Sequence, residues 1–186
     1  MPVQDEATLL DEAALVQKAK ALDSEAWAAI YLHHYRKIHA YLCHRVGNPD
    51  VAEDMASSVF LRAVEQIQTF DYRGIPLTTW LYRIAHNMAV DYVRRVSRVK
   101  WEPLEDSIAD NGASPERAAE ISLDVSELRE AMKDLTEDQR QVITLKFFLD
   151  LSDAEVAKVI DKREGAVRAL QHRALVSLRR LVNRNE

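Results

Sequence analysis

Cysteine, glycine, proline and long apolar runs are all scarce in this sequence, and each scarcity removes a class of protein. A single cysteine, Cys43, excludes an internal disulfide and fits a reducing cytoplasm. Four glycines and five prolines in 186 residues leave few turn signals, and no strand-type alternation of apolar and polar residues is sustained. Alanine, leucine, arginine and glutamate are plentiful instead, so the composition implies an all-α protein. No apolar run approaches the ~20 residues of a membrane span. The acidic N-terminal stretch MPVQDEATLLDEAAL lacks signal-peptide character, so a cytoplasmic protein without membrane insertion is expected. Neither a Gly-rich phosphate loop nor a nucleophile elbow occurs, and no cofactor or enzymatic activity is expected.

The net charge of −5 is not spread evenly. Residues 1–100 hold twelve acids and twelve bases, 101–127 hold eight acids and one base, and 128–186 hold ten acids and twelve bases. This pattern predicts two small helical domains, 1–100 and 128–186, joined by a flexible acidic linker over 101–127. The connector WEPLEDSIADNGASPERA contains Asn111-Gly112 and Ser114-Pro115, turn or cap signals, and offers too little apolar surface to pack alone. Ser114 with Pro115 is expected to cap the next helix.

The stretch DLSDAEVAKVIDKREGAVRALQHRALVSLRRL, Asp150 to Leu181, reads as two short helices joined by a tight turn. Ser152 caps the first through a Ser-x-x-Glu box with Glu155, and Val156, Ala157, Val159 and Ile160 supply its buried face. Asp161, Lys162 and Arg163 form the turn. The second helix buries Val167, Leu170, Ala174 and Leu178, which leaves Arg168, Ala169, His172 and Arg173 on the opposite side. A helix-turn-helix presents its recognition helix to the DNA major groove in this way. From Asp161 to the end there are seven Lys or Arg and three Asp or Glu. An ordinary amphipathic helix pair with a solvated charged face has the same spacing, so the rest of the chain has to decide.

Before residue 100 the periodicity predicts helices from Thr8 to Leu22, from Glu25 to Val46 and from Pro49 to Gln68, the last capped by Asn48. In the third, Val51, Met55, Val59 and Val64 point to a core, leaving Asp54, Ser57, Ser58, Arg62 and Glu65 elsewhere; a plain solvated face is the competing account. A loop with Gly74 and Pro76 then leads to an N-cap at Thr78 and a helix carrying Trp80, Tyr82, Arg83, His86, Asn87, Asp91, Tyr92, Arg94 and Arg95. Aromatics, amides and arginines interleave there, the combination that grips single-stranded nucleic acid by stacking, base-edge hydrogen bonds and phosphate neutralisation. Trp80 is expected to be partly core, anchoring the loop before it, and Ile84 is a second core candidate.

Taken together, AEDMASSVFLRA, GIPLTTWLYRIAHNMAVDYVRR, LTEDQRQVITLKFFLDLSDAEVAKVI and EGAVRALQHRAL resemble, in order and spacing, the extracytoplasmic-function (ECF) group of sigma-70-type RNA polymerase sigma factors. The resemblance runs from about Ala26 to Leu181, excluding the linker. It implies a first domain, sigma region 2, that binds the polymerase clamp and opens the minus-ten element, and a second, region 4, that docks on the flap and reads the minus-thirty-five element. It implies polymerase contacts at Asp54, Ser57, Ser58 and Arg62, with Phe60 packing inside. The loop from Asp71 to Thr78 resembles a base-capturing specificity loop. Minus-ten contacts are thereby expected from Tyr72, Arg73, Trp80, Arg83, Asn87, Arg94 and Arg95, and minus-thirty-five contacts from Arg163, Arg168, Ala169, His172 and Arg173. Core RNA polymerase, promoter DNA and an anti-sigma factor are the implied partners. Ser57 and Ser58 stand where relatives commonly have Gln and Glu, and Asp161 stands where Gly is common, so individual contacts and promoter sequence do not transfer.

Two rival functions remain at this level. A helix-turn-helix regulator acting without sigma activity explains the last sixty or so residues but not TWLYRIAHN. A zinc enzyme is suggested only by HHYRKIHAYLCHR, where His39 and Cys43 share a helical face; His33, His34 and His44 point elsewhere, and a ligand set needs three or four converging groups, so no metal is expected.

Overall fold

The computed structural model describes residues 6–72, 75–97, 132 and 135–182, and every regular element among them is helical. The expected linker, 101–127, with its Ser114-Pro115 cap, lies outside the described residues. The helices fall into two compact units.

The first unit contains α1 (Glu6–Lys20), α2 (Ser24–Val46), α3 (Pro49–Gln66, extended by a 3₁₀ turn at Ile67–Thr69) and α4 (Leu77–Ser97). α1 stops before the expected Leu22, which sits at φ 59 and so has left the helix. Asp23 caps α2 by accepting from the Ala26 N–H at 2.8 Å. Gly47, at φ 68, closes its other end and donates its N–H to the Cys43 carbonyl, a left-handed cap that glycine adopts without steric cost. Asn48 caps α3 as its sequence implies, accepting from the Val51 N–H at 3.1 Å with Pro49 in the first turn.

The core of this unit joins Ile30, Ile38 and Leu42 of α2 to Val59 of α3 and Leu81 of α4, all within 1% of full burial. Val51 and Val64 are only half-buried, contrary to the expectation from hydropathy. Ala52, Ala56 and Ala63 face inward instead. Small side chains let α3 approach its neighbours closely, and their weak hydropathy hides them from a periodicity count. Phe60 is buried as expected, its ring 4.9 Å from that of Tyr31.

The second unit contains α5 (Glu137–Ile143), a wide π-helical turn (Thr144–Phe148), most of α6 (Asp153–Val159) and α7 (Glu164–Val182). Thr136 caps α5 in a reciprocal box with Gln139. Met132, Leu135, Ile143 and Ala174 form its core cluster, with Leu178 packed at the edge. Ser152 and Glu155 make the expected capping box: the Ser152 N–H donates to the Glu155 carboxylate at 2.8 Å and the Glu155 N–H to Ser152 Oγ at 3.3 Å. Val156, Ala157, Val159 and Ile160 are buried as expected.

The turn into α7 closes through a hydrogen bond from the Lys162 N–H to the Ala157 carbonyl at 2.9 Å, with Asp161 at φ 53. Five residues separate donor from acceptor, the pattern of a Schellman cap whose left-handed residue is usually glycine. Asp161→Gly should therefore stabilise the second unit by about 0.5–1 kcal/mol, because a Cβ in the left-handed region is disfavoured. Denaturant unfolding measures the gain, and an unchanged or lowered midpoint would mean that the aspartate side chain supports this turn itself.

Candidate nucleic-acid interfaces

The start of α4 is positioned from α1, not by its own sequence. Pro76 supplies the first carbonyl, accepting from the Trp80 N–H, and the Leu77 N–H donates to Glu12 Oε1 at 2.7 Å. Thr78, expected as the N-cap, is already inside the helix; its hydroxyl lies 3.4 Å from Nδ1 of His34. Burial pushes His34 down to about 4, so its imidazole is neutral at neutral pH. The other oxygen of Glu12 accepts from the Tyr72 hydroxyl at 3.1 Å. One carboxylate thus ties the loop before α4 to the helix itself, a role no local signal at Glu12 announces. Arg73, expected in the same loop, lies outside the described residues.

Trp80 is half-buried and stacks on buried Phe70, ring centroids 4.8 Å apart at 29°. It anchors the preceding loop as anticipated and leaves only one ring face for other company. Ile84 is buried. Arg83, Asn87, Asp91 and Arg94 are exposed and fall on one stripe of α4 with Trp80, by their spacing. Tyr82 and His86, read from sequence as part of the same interleaved surface, are buried. The Tyr41 hydroxyl lies 3.3 Å from Nδ1 of His86, and the Tyr41 and Tyr82 rings meet edge to face at 5.5 Å. Burial pushes the Tyr41 phenol up to about 12 and raises that of Tyr82 as well. An amphipathic tyrosine or histidine suits either environment, and only the packing of α2 against α4 decides.

On α3, Asp54, Ser57 and Arg62 are exposed. Ser58 is not equivalent to them: it is half-buried, and its hydroxyl donates to the Asp54 carbonyl at 2.9 Å. Beside this polar edge runs an open groove of about 580 Å³ lined by Trp27, Ala28, Tyr31, Leu32, Phe60, Leu61 and Val64. Leu32 is 78% and Leu61 61% exposed. A contiguous apolar surface of this kind marks a protein contact. Sequence reasoning missed it, although Leu32 and Leu61 are the residues left over once each helix's core stripe is assigned.

His39 and Cys43 do meet, with Nε2 3.5 Å from Sγ. Among the described residues no group of three or more His, Cys, Asp or Glu converges on a point.

On α7, Val167, Leu170 and Ala174 are buried, whereas Arg168, Ala169, His172 and Arg173 are exposed, as their spacing implies. Arg163 stands at the N-terminus of α7, its carbonyl accepting from the N–H groups of Ala166 and Val167. The arginines of α7 differ in company. Arg168 Nη1 lies 3.6 Å from Glu164 and 3.9 Å from Asp153, which also pairs with Lys146 at 2.8 Å. Leu175 and Val176 continue the exposed side of α7, and Phe147 and Phe148 are more than half exposed at the π turn.

A two-unit all-α chain with a helix-turn-helix in its second unit and a polar, arginine-bearing stripe on α4 in its first belongs to the helical DNA-binding proteins by architecture. Residues 30–99 match the family described as Sigma-70 region 2, and residues 126–178 match Sigma-70, region 4. The ECF RNA polymerase sigma factor BldN of Streptomyces coelicolor is 36% identical over 171 residues, spanning 90% of this chain and 64% of that one. SigW of Bacillus subtilis, also an ECF sigma factor, is 32% identical over 177 residues, spanning 89% of this chain and 93% of that one. The fold is shared with CnrH, solved with the cytosolic domain of CnrY (TM-score 0.68, 20% identity, 94% of this chain and 99% of that one). The chain belongs to the extracytoplasmic-function group of sigma-70-type RNA polymerase sigma factors. It therefore spans about two thirds of the length of BldN and nearly all of SigW.

Proposed function

We propose that this protein binds core RNA polymerase and directs promoter-specific initiation, with its first unit opening the minus-ten element and its second reading the minus-thirty-five element. The observation that carries this reading is the presence, in one chain of this family, of two surfaces with different nucleic-acid chemistry. The stripe Trp80, Arg83, Asn87 and Arg94 on α4 offers an aromatic face, an amide and two guanidinium groups, which suit unpaired bases and a single-strand backbone. Tyr72, held by Glu12, stands at the loop that would border a flipped base. The face of α7 formed by Arg168, Ala169, His172 and Arg173 suits the major groove of duplex DNA, where arginine reads guanine and a small residue admits close approach. Arg163, at the start of that helix, is placed for phosphate. The activity is binding and strand separation, so it asks for no catalytic group and no cofactor.

The protein contacts follow from the remaining surfaces. Asp54 and Ser57, with the apolar groove of α2 and α3 beside them, form the polymerase dock of the first unit, and exposed Phe147 extends the same role to the second. The sigma factor RpoE of Bartonella quintana, which shares the fold, was solved in complex with the anti-sigma factor NepR, and control by an anti-sigma factor that covers these surfaces is part of the proposal. Among the described residues no helix is long and apolar enough to cross a membrane. A cytoplasmic location fits this reading.

Added to bacterial core polymerase, the protein should produce transcripts from a defined set of promoters and protect two DNA elements about two helical turns apart. Footprinting with and without core polymerase separates this from the helix-turn-helix regulator. Protection by the protein alone, with no promoter-specific transcript when core is present, would establish the regulator instead.

A further inference from the structure

We propose that the cleft between α3 and α4 holds one backbone phosphate of the melted promoter strand, with Arg62 and Arg95 as its cationic walls. The inference rests on the initiation reading above and changes the role of Arg62 from a polymerase contact to a DNA contact.

The cleft measures about 80 Å³ and is lined by Met55, Arg62, Met88, Asp91, Tyr92 and Arg95. A space of that size admits a tetrahedral oxyanion. Two guanidinium groups from different helices line it, and a guanidinium carries five N–H donors and no acceptor. Arg95 spends Nε on the Asp91 carbonyl at 3.2 Å, which fixes the side chain along its own helix and leaves the two terminal nitrogens. Among the described residues Arg62 is in no hydrogen bond or ion pair. Asp91 also lines the cleft, and its carboxylate pairs with neither guanidinium among the described residues, so the two arginines outnumber the one acid of the lining. Met55 and Met88 supply apolar walls, which lower the local dielectric and strengthen a guanidinium–phosphate contact. The Tyr92 hydroxyl is a further donor.

Position favours a nucleic-acid phosphate over a carboxylate from the polymerase. Asp91 and Arg95 follow Asn87 at i+4 and i+8, so the cleft opens on the flank of the stripe assigned to unpaired bases, about 12 Å further along the helix axis. A strand whose base meets Asn87 runs past this opening.

Holoenzyme assembled from core polymerase and the full chain tests the proposal, with a fork-junction promoter as DNA and potassium chloride as the variable. Arg62→Ala and Arg95→Ala should each reduce the slope of log affinity against log salt by about 0.7, the value for one single-strand phosphate. The double variant should fall no further, because both residues serve the same phosphate. Core binding should be unchanged in all three. One methylphosphonate linkage in the non-template strand should weaken wild-type binding and leave both single variants unaffected.

Loss of core binding in Arg62→Ala with an unchanged slope would assign the residue to an acidic group of the polymerase and overturn the proposal. Additive slopes in the double variant would mean two separate phosphates, and unchanged slopes would mean plain surface; either also overturns it. Arg62→Lys guards against misfolding: a retained slope supports a charge role, whereas loss equal to alanine with a lowered melting temperature makes the arginine structural. If wild-type holoenzyme selects no promoter, the initiation reading itself has failed; a normal wild type with indifferent variants sinks only the cleft.

Discussion

Replacing Arg173 with alanine should weaken use of promoters that depend on the minus-thirty-five element by about 1–3 kcal/mol, roughly tenfold to a hundredfold, if its guanidinium reads a base edge. Its side chain is exposed on the outer face of α7, opposite buried Val167, Leu170 and Ala174, so the substitution leaves the core untouched. Arg168→Ala should cost less. Its guanidinium is already 3.6 Å from Glu164 and 3.9 Å from Asp153, and whatever it gains on DNA is offset by leaving them. Exposed pairs of this kind contribute about 0–1 kcal/mol, so the offset is real but small. Glu164→Gln then works in the opposite direction, releasing Arg168 and removing a negative charge from the DNA face. Transcription from paired templates with and without a required minus-thirty-five element provides the measurement. Equal loss on both templates would trace the defect to folding or to polymerase binding and remove Arg173 from base reading.

Asn87→Ala should leave binding to core polymerase intact and reduce open-complex formation on duplex promoters. Asn87 is exposed on α4, in line with Arg83 and Arg94 and on a different helix from the apolar groove of α2 and α3. A template already unpaired at the minus-ten element should recover only part of the loss. Deleting the amide removes base contacts that pre-melting cannot restore, whereas a pure strand-separation defect would disappear on such a template. Complete rescue would therefore argue against base reading, and a fall in core affinity would move Asn87 into the polymerase-binding surface.

The helix-turn-helix was the most legible part of the chain. Its capping box at Ser152 and Glu155, its buried Val156 and Val167 and its exposed Arg168 and Arg173 all follow from contacts within a few residues, and local rules describe such contacts well. The capping box of α5 was equally available in Thr136-x-x-Gln139 and was overlooked. α4 was harder to read. Its polar and aromatic residues were recognised as a group, but Tyr82 and His86 belong to the core with Tyr41, while Arg83 and Asn87 stay outside. Aromatic and histidine side chains carry both apolar and polar character, so period alone cannot divide them. The N-cap of α4 was misplaced at Thr78 because its true acceptor, Glu12, comes from 65 residues earlier.

By itself, then, the sequence determined the all-helical class, most helix ends and the outward-facing stripe of α7, because these depend on propensity, caps and periods of three to four residues. The tertiary structure alone decided which tyrosines are core, how alanines let α3 sit close to its neighbours, and how Glu12 ties the loop at Tyr72 to the start of α4. It also decided that Leu32 and Leu61 join into one apolar groove and that Arg62 and Arg95 line one cleft. Each of these joins residues from different helices, and the free energy of such contacts depends on packing that no local spacing encodes.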